Sequence, residues 1–405
     1  MLPWLKTMRT ALQGDPGNIT ENQLEFWREV WEPDRILGSY AGGRCVGTLR
    51  TFGTTLGVPY GPGRTVQLRA DALTQVGVAA THRRQGLLRQ MLTSSLTAAK
   101  ERGDAVSLLY AAEWGIYSRF GYWPTTLAAD YRIRTGNPLL TVLPPAEKLE
   151  VVQVEHADLL DPARAVLDRV RAQQPGHIAR PESLHKRALR LHNPPGAREP
   201  VCVVARNAAG QVDGYAMWTG TEGDWYHDPL HHVEVKVDEI LAATPDAERA
   251  LWHYLVNIDL VRTLTLEQYP VDLPLEWLLS DGRAARRVWS GDGTWLRILD
   301  LPATLTARRY AATDRLVLEV TDPDGGFAAG RFVLDAGPDH AECTPTTESA
   351  DLQLSQRALA GIYLGGFMVR SQQLAGLVDE QTTGAALRLQ AMFATEQAPW
   401  NATGF

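Results

Sequence analysis

Several things are scarce or missing in this sequence, and each shortage excludes something. Cysteine is scarce: Cys45, Cys202 and Cys343 are the only three and lie far apart. They form neither a metal-type spacing nor a disulfide framework, so a reducing cytoplasm is the expected compartment. Long apolar runs are missing, and the opening MLPWLKTMRT has no signal-peptide apolar core. No membrane partner is expected. A basic excess is missing as well: 40 basic residues face 47 acidic ones, a net charge of −7. Nucleic-acid binding leaves the opposite footprint, so no such partner is expected. A cationic substrate suits the sign, although net charge speaks mainly to steering and solubility. No metal is expected either. His227, Asp228, His231 and His232 lie close together, but adjacent His231 and His232 point to opposite faces of a strand.

What is present is length and one organising stretch. The 405 residues exceed a single core, so two to three domains are expected. The stretch is Gln75–Arg89, QVGVAATHRRQGLLR. Val76 and Val78 share one face of a short strand, at the strand period of two. Ala79 to Arg83 turn the chain. Gln85-Gly86-Leu87-Leu88 then open a helix whose apolar residues Met91, Leu92, Leu96 and Ala99 recur at helical spacing. A helix N-terminus offers unpaired N–H groups and a dipole that favours negative charge. Arg83 and Arg84 stand beside it, and Gly86 lets a ligand approach the backbone. Together these features make a site for a pyrophosphate. An Arg/Gly turn alone is an ordinary solvated turn; the strand before it and the amphipathic helix after it supply the context that the anion site requires.

Before this stretch, Gly14-Asp15-Pro16-Gly17 is a turn, and Asn18-Ile19-Thr20 caps a helix from Glu21 through Trp31, stopped by Pro33. Trp27 and Trp31 lie one helical turn apart, as core packing or as the aromatic wall of a pocket. Asp15, Glu21 and Glu25 are candidates for negative charge there, against the usual solvated helix carboxylate. Arg44–Thr51, Val66–Ala72 and Leu73–Val78 read as strands, and Val106–Ala111 as a short apolar one. Pro138, Pro144 and Pro145 mark a linker. In the second region Leu149–Val154, Val201–Ala205, Gly214–Thr219 and Val233–Glu239 read as strands, and Ala247–Ile258 as an amphipathic helix. The order echoes the first region, yet no R-x-x-G-x-x loop follows Val233–Glu239, so no coenzyme A is expected at the equivalent place. In the last region Arg315–Val320 and Gly330–Leu334 flank a DPDGG turn as a hairpin. Gln356–Tyr363, Leu374–Val378 and Ala385–Phe393 read as helices.

The stretch around Arg84 resembles motif A of the GNAT acetyltransferases, V-x-V-x-x-x-x-R-R-x-G-x-x. That resemblance implies that Val76, Gly77 and Val78 bind the pantetheine arm of acetyl-CoA. It assigns Arg84, Gln85, Gly86, Leu87, Leu88 and Arg89 to the pyrophosphate. Glu113–Tyr122, EWGIYSRFGY, resembles the end of motif B, Y-x-x-x-G-[FY]. There Tyr117 is the proton donor to the departing thiolate, and Ala112 and Glu113 fall where the family closes over the cofactor. A tyrosine with a pKa near about 10 stays protonated at neutral pH and can donate.

The whole chain resembles the Eis (enhanced intracellular survival) acetyltransferases of actinobacteria. The carriers are VGVAATHRRQGLLRQML, IYSRFGYWPTT, GTWLRILDLPATLTARRY, CTPTT and LAGIYLGG, in that order. The resemblance implies an α/β (α+β) architecture of three parts. Residues 1–137 form a GNAT domain that binds acetyl-CoA, 138–297 a GNAT-like domain without the cofactor loop, and 298–405 a sterol-carrier-like domain. It implies direct acetyl transfer to amines of aminoglycosides at several positions, and a homo-hexamer. It makes the terminal carboxylate of Phe405 the general base and places Trp27 in the substrate pocket. The mechanism expected adds the Val78 N–H as the group that polarises the thioester carbonyl. This chain departs from the family at Gly404, where a relative can carry an acid. A protein-lysine or polyamine acetyltransferase and a non-catalytic acyl-CoA-binding module are the competing expectations.

Overall fold

The computed structural model describes the chain except for residues 18, 137–139, 148, 192–196 and 222–232. The His227, Asp228, His231 and His232 cluster lies outside the described residues. The chain divides into two compact units. One comprises Met1–Thr126, Pro175–Ala179 and Gly293–Phe405; the other comprises Leu127–Gln174 and Arg180–Asp292.

The first unit opens with helices α1 (Leu2–Ala11) and α2 (Glu21–Glu29). The side chain of Thr20 accepts from the Gln23 N–H while Gln23 reaches back to the Thr20 N–H, a reciprocal cap that sets where α2 starts. Trp4, Leu5, Met8, Trp27 and Val30 bury one face of this helical layer. Strands β1 (Ile36–Ala41), β2 (Arg44–Pro59) and β3 (Thr65–Val78) follow. The two segments read from sequence as Val66–Ala72 and Leu73–Val78 are one strand. It is bent at Gln75, whose φ of 51° is left-handed, and its register with β2 slips between Thr48 and Arg50. Helix α3 (Leu87–Glu101) then crosses back to β4 (Val106–Tyr110), which lies parallel to β3. Met91, Leu92, Leu96 and Ala99 face the core, as the helical spacing predicts. Fully burying each of the larger ones is worth about 1.5–3 kcal/mol.

Two elements distant in sequence complete this sheet. Thr294–Ile298 pairs antiparallel with β4, and Trp123–Pro124 pairs with Thr294–Ile298. Trp295 is buried in the same core as Leu92, Leu109 and Tyr117. Residues 301–405 add a five-stranded sheet around Asp314–Thr321, which pairs antiparallel with Gly330–Ala336, the expected hairpin. The segment read as a helix over Leu374–Val378 is instead the end of a helix, Val369–Leu374, and the start of a strand, Val378–Glu380. Gly376, at φ 72°, breaks the helix there.

The second unit is built on one seven-stranded sheet. Leu127–Arg134 pairs in it between Ala285–Asp292 and Val261–Tyr269. Val233–Ala242 runs parallel to Val261–Tyr269, and the helix Pro245–Val256 connects them.

Candidate active site

Two parallel strands joined by a helix usually stay paired. Here β3 and β4 pair only over Ala70–Ala72 and Val106–Leu108. Among the described residues no backbone hydrogen bond joins them further on. The cause is local: the left-handed Gln75 adds a residue opposite β2, and Thr48 Oγ1 donates to the Gln75 carbonyl at 3.1 Å. Such a bulge bends a strand and strengthens its twist. The last residues of β3, Val76, Gly77 and Val78, therefore border a gap where the two strands have parted. Gly77 also admits close packing: a Cβ there would stand 2.6 Å from that of Ala11.

The mouth of the gap is the start of α3. Its N-cap is Gly86, at φ 81°, and no side chain caps it among the described residues. The first turn carries no acidic residue, and a Cβ built on Gly86 would meet open space. Arg83, Arg84, Gln85, Gly86 and Arg89 are exposed. Arg84 itself is left-handed, at φ 64°, which exposes the loop backbone. The Arg89 guanidinium lies 5.5 Å from the Phe120 ring centroid. Leu87 and Leu88 are half-buried, and Leu88 packs with Val76 and Val78 against the core that holds Tyr117. The features expected of an anion site therefore stand together: a helix start without a side-chain cap among the described residues, three arginines and no acid in the first turn.

Tyr117 closes the short helix α4 (Trp114–Tyr117), just after the exposed Ala112 and Glu113. It is buried beside Tyr122, ring centroids 6.2 Å apart. Burial, with Glu113 adding to it, pushes the Tyr117 phenol up to about 12. The proton is thus held through the whole neutral range.

Phe405 lies against the same sheet. Its ring meets Tyr110, the last residue of β4, edge-on at 5.1 Å and Phe52 of β2 at 5.5 Å. Phe52 in turn faces the Arg50 guanidinium at 5.9 Å, and Arg50 faces Trp27 at 5.7 Å. Trp27 is largely core, packed on Trp4 and Phe26. Arg50 and Phe52 stand between it and Phe405 in this chain of ring contacts. Arg50 is buried; burial lowers its pKa and Glu32 works against that. Of the acids weighed for the pocket, Glu21 pairs with Arg28 at 2.8 Å on the surface, and Asp15 accepts from the Gly17 N–H.

Sequence reasoning missed Arg50, Phe52 and Tyr110. Arg50 and Phe52 sit two apart on β2, a period-two signal that was readable. Tyr110 had no signal beyond its position at a strand end. Among the described residues no cluster of His, Cys, Asp and Glu is arranged to hold a metal ion.

Comparison with known proteins bears on the family and the fold. Acetyltransferase (GNAT) domain families match residues 1–125 and 176–298, and a sterol carrier protein domain family matches residues 301–402. An uncharacterized N-acetyltransferase of Streptomyces griseus is 40% identical over 375 residues, 90% of this chain and 88% of that one. N-acetyltransferase Eis of Mycobacterium bovis is 33% identical over 382 residues, 91% of this chain and 89% of that one. The crystal structure of Eis1 from Mycobacterium abscessus superposes with a TM-score of 0.84 at 30% identity, covering 100% of this chain and 96% of that one.

Proposed function

The chain belongs to the Eis N-acetyltransferases, two GNAT domains followed by a sterol-carrier-like domain, and from that premise we propose that it transfers the acetyl group of acetyl-CoA to amines of aminoglycosides, at several positions. One observation carries the reading: a strand–helix–strand unit whose strands part before a glycine-started helix, with a buried tyrosine in the core that Val76, Val78 and Leu88 pack against. The division of labour is 1–137 for acetyl-CoA, 138–297 without it, and 298–405 for the terminal carboxylate.

Each named group has a task that its surroundings support. Arg84, Gln85, Gly86, Leu87, Leu88 and Arg89 hold the pyrophosphate on the open helix end. Val76, Gly77 and Val78 orient the pantetheine arm, and the Val78 N–H polarises the thioester carbonyl. Ala112 and Glu113 border the cofactor. Trp27 borders the amine. The Phe405 carboxylate takes a proton from the substrate ammonium. The freed amine then forms a C–N bond as the C–S bond breaks, and Tyr117 gives its proton to sulfur. The nitrogen gives up two protons in all, one to the Phe405 carboxylate before attack and one after the C–N bond has formed; in net balance one ends on sulfur through Tyr117, which is reprotonated between turnovers, and one in solvent. An α-carboxylate of pKa about 3.5 is a weak base for an ammonium. Half-burial of Phe405 or a water relay has to carry part of that step. Assembly as a homo-hexamer in the cytoplasm belongs to the same reading, and sedimentation of the full chain checks the hexamer.

The test is free-thiol release from acetyl-CoA with and without a multi-amine aminoglycoside. Wild type, Tyr117→Phe and a chain lacking Phe405 are compared, with a lysine peptide and a polyamine as parallel acceptors. The expected result is drug-dependent release of more than one equivalent that falls in both variants. Release with peptide or polyamine alone moves the substrate class. Tight acetyl-CoA binding without release from any acceptor contradicts the enzyme.

A further inference from the structure

The structure assigns a positioning role to Asn401 and to the strap Pro175–Ala179: together they seat Phe405 against Tyr110 and Phe52. This rests on the reading of Phe405 as the base and adds what holds it there.

The strap is paired on one side to β2. Gly176 N–H donates to the Gly57 carbonyl at 2.9 Å, Gly57 N–H to the His177 carbonyl at 2.8 Å, and Ala179 N–H to the Thr55 carbonyl at 2.9 Å. On its other side it holds the end of the chain. Trp400 N–H donates to the Pro175 carbonyl at 3.0 Å. Asn401 Oδ1 accepts from the Ile178 N–H at 3.3 Å and from the Thr403 N–H at 3.1 Å, while Asn401 Nδ2 donates to the Thr403 carbonyl at 3.1 Å. Ala402 N–H reaches His177 Nδ1 at 3.4 Å, and the His177 ring meets Trp400 edge-on at 5.2 Å. Gly176 is left-handed, at φ 99°, and a Cβ there would stand 2.7 Å from the Trp400 backbone. Only glycine allows the two segments to approach so closely.

Chain ends are ordinarily loose. This one is not: Trp400, Asn401 and Thr403 are buried, as are His177 and Ile178. Buried polar groups of this kind are satisfied or costly, and Asn401 is satisfied by both segments at once. Tyr110 connects the latch to the site, because its hydroxyl donates to the Asn401 carbonyl at 3.3 Å and its ring packs on Phe405. Asn401 therefore acts through Phe405, four residues on. A base displaced by about 1 Å costs roughly 100-fold in rate.

The experiment uses the full chain with Asn401→Ala, Asn401→Asp and a chain lacking Phe405, alone and combined with Asn401→Ala. Asn401→Ala is expected to lower kcat for a multi-amine aminoglycoside by about 10- to 100-fold, with KM for acetyl-CoA within about twofold of wild type. Asn401→Asp keeps the shared acceptor and recovers most of kcat. Without Phe405, Asn401→Ala produces no further fall. Hydrogen exchange at the Ile178 and Thr403 amides speeds up at least about 10-fold in Asn401→Ala. Unchanged exchange overturns the latch. Faster exchange with unchanged kcat, or a further fall without Phe405, overturns the positioning role. If loss of Phe405 leaves kcat intact, the base assignment fails, and the exchange data still decide whether the strap holds the tail.

Discussion

The molecule contains the same strand–helix–strand device twice, once open and once filled. In the first unit, β3 and β4 pair over three residues and then part; in the second, Val233–Ala242 and Val261–Tyr269 pair from Val233 to Lys236 and then part. Both first strands slip register against their antiparallel neighbour, β3 between Thr74 and Gly77 opposite Thr48/Arg50 of β2, and Val233–Ala242 between Val237 and Glu239. What fills the gap differs. In the second unit the Tyr269 hydroxyl accepts from the Ile240 N–H at 2.9 Å. Glu239 receives Arg180 in two bonds, of 2.6 and 3.2 Å, and the Tyr215 hydroxyl at 2.7 Å. The helix ends differ as well. Gly86 leaves α3 uncapped, with arginines nearby. Thr244 caps Pro245–Val256 with its side chain, Pro245 takes the first position, and Asp246 and Glu248 occupy the first turn. On the proposed reading the first N-terminus receives an anion; the second is already capped by Thr244 and opens with two acids, Asp246 paired to Arg249. A shared fold therefore does not imply a shared site; a handful of side chains decides it.

The sharpest way to separate the two is to remove one tyrosine from each. Tyr117→Phe should lower kcat about 10²- to 10⁴-fold with acetyl-CoA affinity and melting temperature nearly unchanged, as stopped-time thiol assays and thermal melts would read. Next in size, Gly86→Asp gives α3 the acidic start that its counterpart has. Acetyl-CoA affinity, read by calorimetry, should fall roughly 100-fold through repulsion of the pyrophosphate and loss of the open backbone. Tyr269→Phe should do the reverse of Tyr117→Phe. It strands a buried Ile240 N–H and costs about 1–3 kcal/mol in denaturant titration, while turnover per folded molecule holds. Thr244→Ala should cost about 1 kcal/mol of stability and leave acetyl-CoA binding untouched.

The smallest effect concerns pH. Burial raises Tyr117, so its proton is lost only as pH climbs toward about 12, not near the usual 10. The kcat profile should therefore show no falling limb from this group between pH 7 and about 10. A limb with an apparent pKa near 10 would contradict a buried donor.

The strand, turn and helix of the candidate site were largely legible because they are local. Val76 and Val78 announce a strand, Met91, Leu92, Leu96 and Ala99 a helix, and Gly86 the turn between them. Tyr117 stood at the end of a readable motif. The bend at Gln75 was not legible: a left-handed glutamine is imposed by pairing with β2, not by its own preference. Nor was the completion of the first sheet by Thr294–Ile298, whose partner β4 lies far away in sequence, so that only tertiary packing chooses it. Arg50 fell unremarked inside the strand read over Arg44–Thr51, yet it is buried with the Trp27 and Phe52 rings near its guanidinium. The seating of Asn401 on Ile178 spans 223 positions and leaves no periodic trace. The absence of a glycine loop after Val233–Glu239 could be read from sequence. That Tyr269 and Glu239 fill the gap instead could not.

On the proposed reading, one gap takes acetyl-CoA and the other does not. Calorimetric titration of the full chain with acetyl-CoA tests it most directly. One site per chain is expected, weakened roughly 100-fold in Gly86→Asp and retained in Thr244→Ala and Tyr269→Phe. Two sites per chain, or binding that survives Gly86→Asp unchanged, would contradict it.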